Sequence, residues 1–266
     1  MPVESFPFVP YCGSPPVPGQ LAAAWNLDPP LLAAFALAAV GLAWVSRRST
    51  EPPASWRVLG FAAAWLVLLV AFVSPLCNLT SALFAARVVQ HLLTIQIAAP
   101  LLVLAWPAGA VRWPGWLRSL ARPFAVPELA WGLFGVTLWV WHLPGPYMAA
   151  LRSDAVLWLM HATLFVGALA AWRSVLVGGD SGTRARGLLS ALGTSVHLAM
   201  LAALLIFAPE PLFGYHTTTT LAWGLSPLAD QQLGGLVMGV VGSLAYVALN
   251  LYAAGRWMAG MRRSAG

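Results

Sequence analysis

Apolar residues in this chain run in long blocks, separated by short joints rich in proline, glycine and arginine. Seven blocks are long enough, or nearly so, to cross a hydrocarbon core of about 30 Å as helices. They cover residues 29–46, 57–74, 82–106, 127–143, 154–172, 187–208 and 231–257. The first opens at Asp28-Pro29-Pro30, an acid followed by prolines, which suits a helix N-terminus. The third ends at Trp106-Pro107, the fourth begins at Pro127, and the sixth stops before Pro209-Glu210-Pro211. The pattern predicts an all-α polytopic membrane helix bundle of about seven transmembrane helices. Residues 1–28 are read as an extracytoplasmic proline-rich arm, 29–257 as the transmembrane domain and 258–266 as a cytoplasmic tail. There is no internal repeat and no linker long enough for a second domain.

Composition agrees. Of the 266 residues 60% are hydrophobic and 8% charged, against about 25% charged in a soluble domain. So few charges cannot coat a soluble surface of this size, and a bilayer removes the need. The start of the chain lacks the basic stretch and apolar core of a cleavable signal peptide.

Every cationic side chain is an arginine, and their placement sets orientation. Arg47, Arg48, Arg57, Arg112, Arg118, Arg122, Arg173, Arg184, Arg186, Arg256, Arg262 and Arg263 share one side of a seven-span layout. Arg87 and Arg152 fall on or near the other. The rule puts the C-terminus in the cytoplasm and, with an odd number of spans, the N-terminus outside. Without lysine there is no Schiff-base retinal site and no P-loop. The arginines form no basic groove, so nucleic acid is not an expected partner.

Polar groups inside spans are costly and therefore informative. His91, His161 and His197 lie roughly 10 to 16 Å from the outer ends of the third, fifth and sixth spans at 1.5 Å per residue. His142 closes the fourth span and His216 lies in the last outer loop. Three imidazoles at similar depth suit a copper ion or, alternatively, a haem. The competing reading gives each histidine only an interhelical hydrogen bond. Arg87, Gln90, His91 and Thr94 make a polar face on the third span. Arg87 is expected either to reach the interface or to pair with Asp154 or Asp230.

Cys12 and Cys77 both fall outside. They are open to three readings: a disulfide, a thiolate pair for Cu(I), or unpaired thiols. Asp230 stands where the N-cap of the last helix is expected. No nucleophile–base motif, nucleotide loop or HExxH is present, and the expectation is a protein that is not an enzyme.

Four segments carry a resemblance. Val88-Val89-Gln90-His91-Leu92-Leu93, with Ala98-Ala99-Pro100-Leu101-Leu102, resembles the signature helix of the CtaG-type cytochrome c oxidase assembly factors. Trp141-His142-Leu143-Pro144 with Tyr147, Asp230-Gln231-Gln232-Leu233-Gly234-Gly235-Leu236, and Ser74-Pro75-Leu76 are similar to further segments of that family, in family order. Many members have an acidic residue near position 77, where this chain has Cys77. The resemblance implies a multi-pass protein of the bacterial inner membrane that helps mature a haem–copper oxidase, with the oxidase subunits as partners. Copper is its expected cargo, with His91, His161, His197, Cys12 and Cys77 as candidate ligands. A haem-binding electron carrier and a non-metal scaffold or transporter are the alternatives.

Overall fold

The computed structural model describes residues 8–48, 54–106, 125–177 and 181–264, with positions 115, 116, 119 and 122 between them. The described backbone is helical, without strands. Its helices are α1 (Pro29–Arg48), α2 (Ser55–Phe72), α3 (Pro75–Ala82), α4 (Phe84–Ala105) and α5 (Pro127–Trp141). They continue as α6 (Pro144–Arg152), α7 (Asp154–Leu176), α8 (Ser181–Phe207), α9 (His216–Thr219) and α10 (Pro227–Ser264). Arg112, Arg118 and residues 1–7 of the arm lie outside the described residues.

Among the described residues, five helical stretches are long and apolar enough to cross a membrane: α2, α4, α7, Ala185–Phe207 of α8 and Pro227–Tyr252 of α10. Pro29–Gly41 of α1 is a shorter apolar stretch, and α5 has 15 residues. The outward faces are apolar, with Leu59 70% and Leu251 69% exposed. Such faces suit lipid, because helices satisfy their own backbone groups. The chain is a helical membrane protein.

The helix starts follow local chemistry. Asp28 Oδ2 accepts the Leu31 N–H at 3.2 Å, so the acid before Pro29-Pro30 caps α1. Ser74 Oγ accepts the Leu76 N–H ahead of Pro75, and the segment expected to be a loop folds instead as the short helix α3. Proline at the first turn likewise starts α6 after the Trp141 end of α5. The third predicted span therefore begins at Phe84 rather than 82, after extended Leu83 (φ −126°, ψ 131°).

α4 is central, flanked by α2, α7 and α10. Its first N–H groups have no partner within their own helix. Asp230 supplies one from α10, accepting Phe84 N–H at 2.6 Å and Ala85 N–H at 3.1 Å. The expectation that Asp230 caps its own helix is corrected: Ser226 caps α10 through the Ala229 N–H. Gln231 and Gln232 extend the splice, donating to Leu205 O and Ile206 O at the end of α8, while Gln231 Oε1 accepts Leu212 N–H.

Glycines allow the close approach that membrane helices need. A Cβ on Gly235 would stand 2.8 Å from Ile206 Cγ1 and 3.1 Å from Ala202 O, and one on Gly239 2.8 Å from Ala202 Cβ. This small-xxx-small ridge seats α10 on α8.

Two substitutions and a control test this frame by thermal unfolding of the purified protein in detergent. Asp230→Ala strands buried N–H groups and lowers stability by about 1–3 kcal/mol. Gly235→Val overpacks the α8–α10 seam and costs about 1–3 kcal/mol. Gly132→Ala, which meets nothing within 4 Å, changes stability by less than about 0.5 kcal/mol or raises it.

Candidate functional site

The polar face of α4 points into the bundle. Gln90, 1% exposed, donates to Ala71 O at 2.7 Å and so satisfies a carbonyl in the last turn of α2. Thr94 Oγ1 donates to His91 O at 2.8 Å. Arg87 does not reach the interface; it is buried, with its guanidinium 5.2 Å from the centre of the Tyr147 ring. Nor is it paired with Asp154 or Asp230, and its Nε and Nη1 are buried without a hydrogen-bond partner. A buried cation with open donors is held by the π-face of Tyr147 and by the surrounding fold.

The histidines separate into three environments. His91 and His161 touch edge to face, their ring centres 5.3 Å apart. His91 Nε2 is buried and has no partner. Beside it lies a cavity of about 20 Å³, lined by His91, His142, Leu138, Leu164, Leu198 and Met238 among others. That volume admits one water or one ion. His142 Nδ1 lies 2.6 Å from Leu138 O. A carbonyl can only accept, so Nδ1 carries the proton and Nε2 keeps its lone pair. A backbone carbonyl holding one ring nitrogen is the usual preparation of the other for a metal. His142 is the residue that a search by depth within the spans passes over; its signal in the sequence is the Trp141-His142-Leu143-Pro144 segment.

His197 stands apart. Its Nδ1 accepts the Trp139 Nε1–H at 3.1 Å, its ring lies 5.3 Å from that of Trp131, and Gly135 leaves room for it against α5. The three histidines chosen by depth do not form one ligand set: no group of three or more His, Cys, Asp or Glu among the described residues is placed to hold a metal ion. Cys12 and Cys77 are joined in a disulfide with their Cα atoms 5.3 Å apart, so neither is a thiolate in this structure.

Two π-helical turns bracket the small cavity. Leu93–Ala98 follows His91 on α4, and Met238–Gly242 interrupts α10. Gln96 Nε2 of one turn donates to Gly242 O of the other at 2.8 Å, and Trp172 Nε1 of α7 donates to Ile95 O at 2.8 Å. Such turns free carbonyls from the helical ladder and are frequent at functional sites. Nothing in the apolar pattern of either helix announces them.

At the end of the bundle that carries the disulfide, His216 of α9 closes a polar network outside the candidate spans. Its Nε2 accepts from Tyr147 Oη at 2.6 Å, because Nδ1 faces the Ala82 carbonyl, 3.2 Å away, and carries the proton. Thr219 also donates to Ala82 O, and the Phe84 and Phe213 rings stack on each other beside this group, Phe84 edge-on to His216 and Phe213 against Tyr147.

Burial, and secondarily the charge of Arg87, push the His216 imidazole down to about 3. The unfolded chain binds its proton near the ordinary value of about 6.5. The resulting stability is complete above about pH 6.5 and is lost as pH falls from there toward 3. Melting temperature in detergent should drop across pH 6.5 to 4.5, and His216→Gln should flatten part of that drop. Parallel curves for the two proteins would remove His216 as a cause.

The chain matches, over residues 35–260, the family described as cytochrome c oxidase caa3 assembly factor. None of the curated proteins and none of the solved structures matches it.

Proposed function

This chain belongs to the cytochrome c oxidase caa3 assembly factor family, and from that premise we propose that it hands copper to the oxidase without catalysing a reaction. The observation that carries the reading is His91 Nε2, buried and unpartnered beside a cavity of ion size that it shares with His142. His161, His91 and His142 make a ladder of imidazoles rather than a cage. Imidazole suits copper, and sparse coordination suits a cargo that must leave again. The cavity has no room for a porphyrin, which favours an ion over haem at this point.

The proposal includes placement in the bacterial inner membrane, with α1 and α5 completing seven spans, the arm outside and the C-terminus in the cytoplasm. Twelve of the fourteen arginines then face the cytoplasm. The disulfide supports this orientation, since such bonds persist on the oxidising side of a bacterial membrane. Copper would then meet the histidines from the side where the arm lies, and the oxidase subunits would be the partners.

The test is the copper content of the oxidase purified from cells lacking this protein and from cells carrying His91→Ala. Copper-poor oxidase in both, with His91→Ala still present in the membrane at normal levels, is the expected result. His142→Ala should give a partial loss, and His197→Ala, whose side chain does not line the cavity, should restore copper fully. Full copper in the deletion strain would end the delivery reading.

A further inference from the structure

A second and much larger cavity lies between α1, α2, α4 and α7. It holds about 450 Å³, within the range of small-molecule sites. Six aromatic side chains line it: Tyr11, Phe35, Trp65, Phe72, Trp158 and Phe165. Its polar groups are few. Asp28 and Tyr11 stand on it, already joined by a 2.6 Å hydrogen bond, with Asp28 also capping α1. Thr94 donates its hydroxyl proton to His91 O. His161 is different: it is 7% exposed, lines the cavity, and has no hydrogen-bond partner among the described residues. A buried imidazole without a partner costs free energy unless something in the cavity supplies one.

The lining also states the charge of its guest. It contains one carboxylate and no arginine or other permanent cation. An anionic ligand would be buried against Asp28 with nothing to neutralise it. That disfavours fatty acids, phospholipid phosphates and the propionates of a haem. A cation finds Asp28 already engaged by Tyr11 Oη–H and the Leu31 N–H. Aromatic walls favour a flat ring by offset or edge-to-face packing. Exposed Ala34 and Ala162 border the cavity, leaving room for an apolar tail to pass into lipid.

We propose that this chamber binds a neutral isoprenoid quinone or quinol, its ring among Trp65, Phe72, Trp158 and Phe165 and one of its oxygens hydrogen-bonded to His161. The proposal concerns binding alone and goes beyond the copper reading; the two share His161 but not the chamber.

The experiment uses the full chain in nanodiscs of phosphatidylcholine, titrated with decylubiquinone, with quenching of tryptophan fluorescence as the readout, since Trp65 and Trp158 face the ligand. Saturable quenching is expected. Ala162→Phe and Ala34→Phe, which fill the chamber from its border, should each weaken it by about tenfold or more while keeping the wild-type melting temperature. Farnesol, with the same kind of tail and no ring, should not compete. Non-saturating quenching that is equal in the wild type and both filled variants would mean membrane partition only and overturn the proposal. Competition by farnesol at equal concentration would make the chamber a generic apolar groove and overturn it too. His142→Ala, at a residue that lines the small cavity and not the chamber, should bind decylubiquinone normally, so a failure of copper delivery and a failure of quinone binding are separately visible.

Discussion

The carboxylate of Asp230 on the first N–H groups of α4 is the contact on which the rest of the arrangement rests. A helix that starts inside a membrane protein presents unpaired donors and a partial positive charge. Here a buried acid from a different helix accepts both Phe84 and Ala85 N–H. That fixes the height of α4 relative to α10. Gln231 and Gln232 fix α10 relative to the end of α8 in the same way. With these heights set, Gln96 meets Gly242 and the two π-helical turns face one another. The depth of His91 is thus a consequence of backbone satisfaction at the helix ends.

Much of the fold was legible in the chain. Asp28-Pro29, Pro127 and Asp154 open α1, α5 and α7 where the apolar pattern places them. The short helices were not, because α3, α6 and α9 are too brief and too mixed in polarity to show a period. Their start signals, Ser74-Pro75 and Leu143-Pro144, read equally well as turns. The π-helical turns left no mark because an inserted residue within an apolar run changes phase and not composition. At the site, depth along a span correctly put His91 near His161 but also grouped His197 with them. Depth fixes height and leaves azimuth open, and His197 faces Trp131 and Trp139 instead. His142 was passed over for the converse reason, since it sits at a helix end and its ring returns toward the interior.

The interior is polar in a selective way. Gln90, Gln231 and Gln232 spend their hydrogen bonds on carbonyls or N–H groups that helix ends and loops leave open, and Thr94 spends its own on His91 O, one turn back in α4. Arg87 Nε and Nη1, His91 Nε2 and Gln96 Oε1 of α4 are among the buried polar atoms left without a partner. Structural polarity and leftover polarity therefore lie on the same helix, α4, a few residues apart. The family's signature segment contains both, and each would constrain substitution there for its own reason.

The disulfide between Cys12 and Cys77 turns residues 12–77 into a closed ring that contains all of α1 and α2. Closing a loop of 65 residues removes roughly 4 kcal/mol of unfolded-chain entropy in the chain-entropy account. Its geometric effect is more particular. α1 meets α2 through Leu31 and Phe35 near its start, while Leu37, Val40 and Trp44 further along are exposed. The disulfide holds one end of α1 to the bundle, and the chain, which reaches Ser55 of α2 with six residues between it and Arg48, holds the other. The helix that walls the chamber is thus retained at two points and depends little on the packing of its own face.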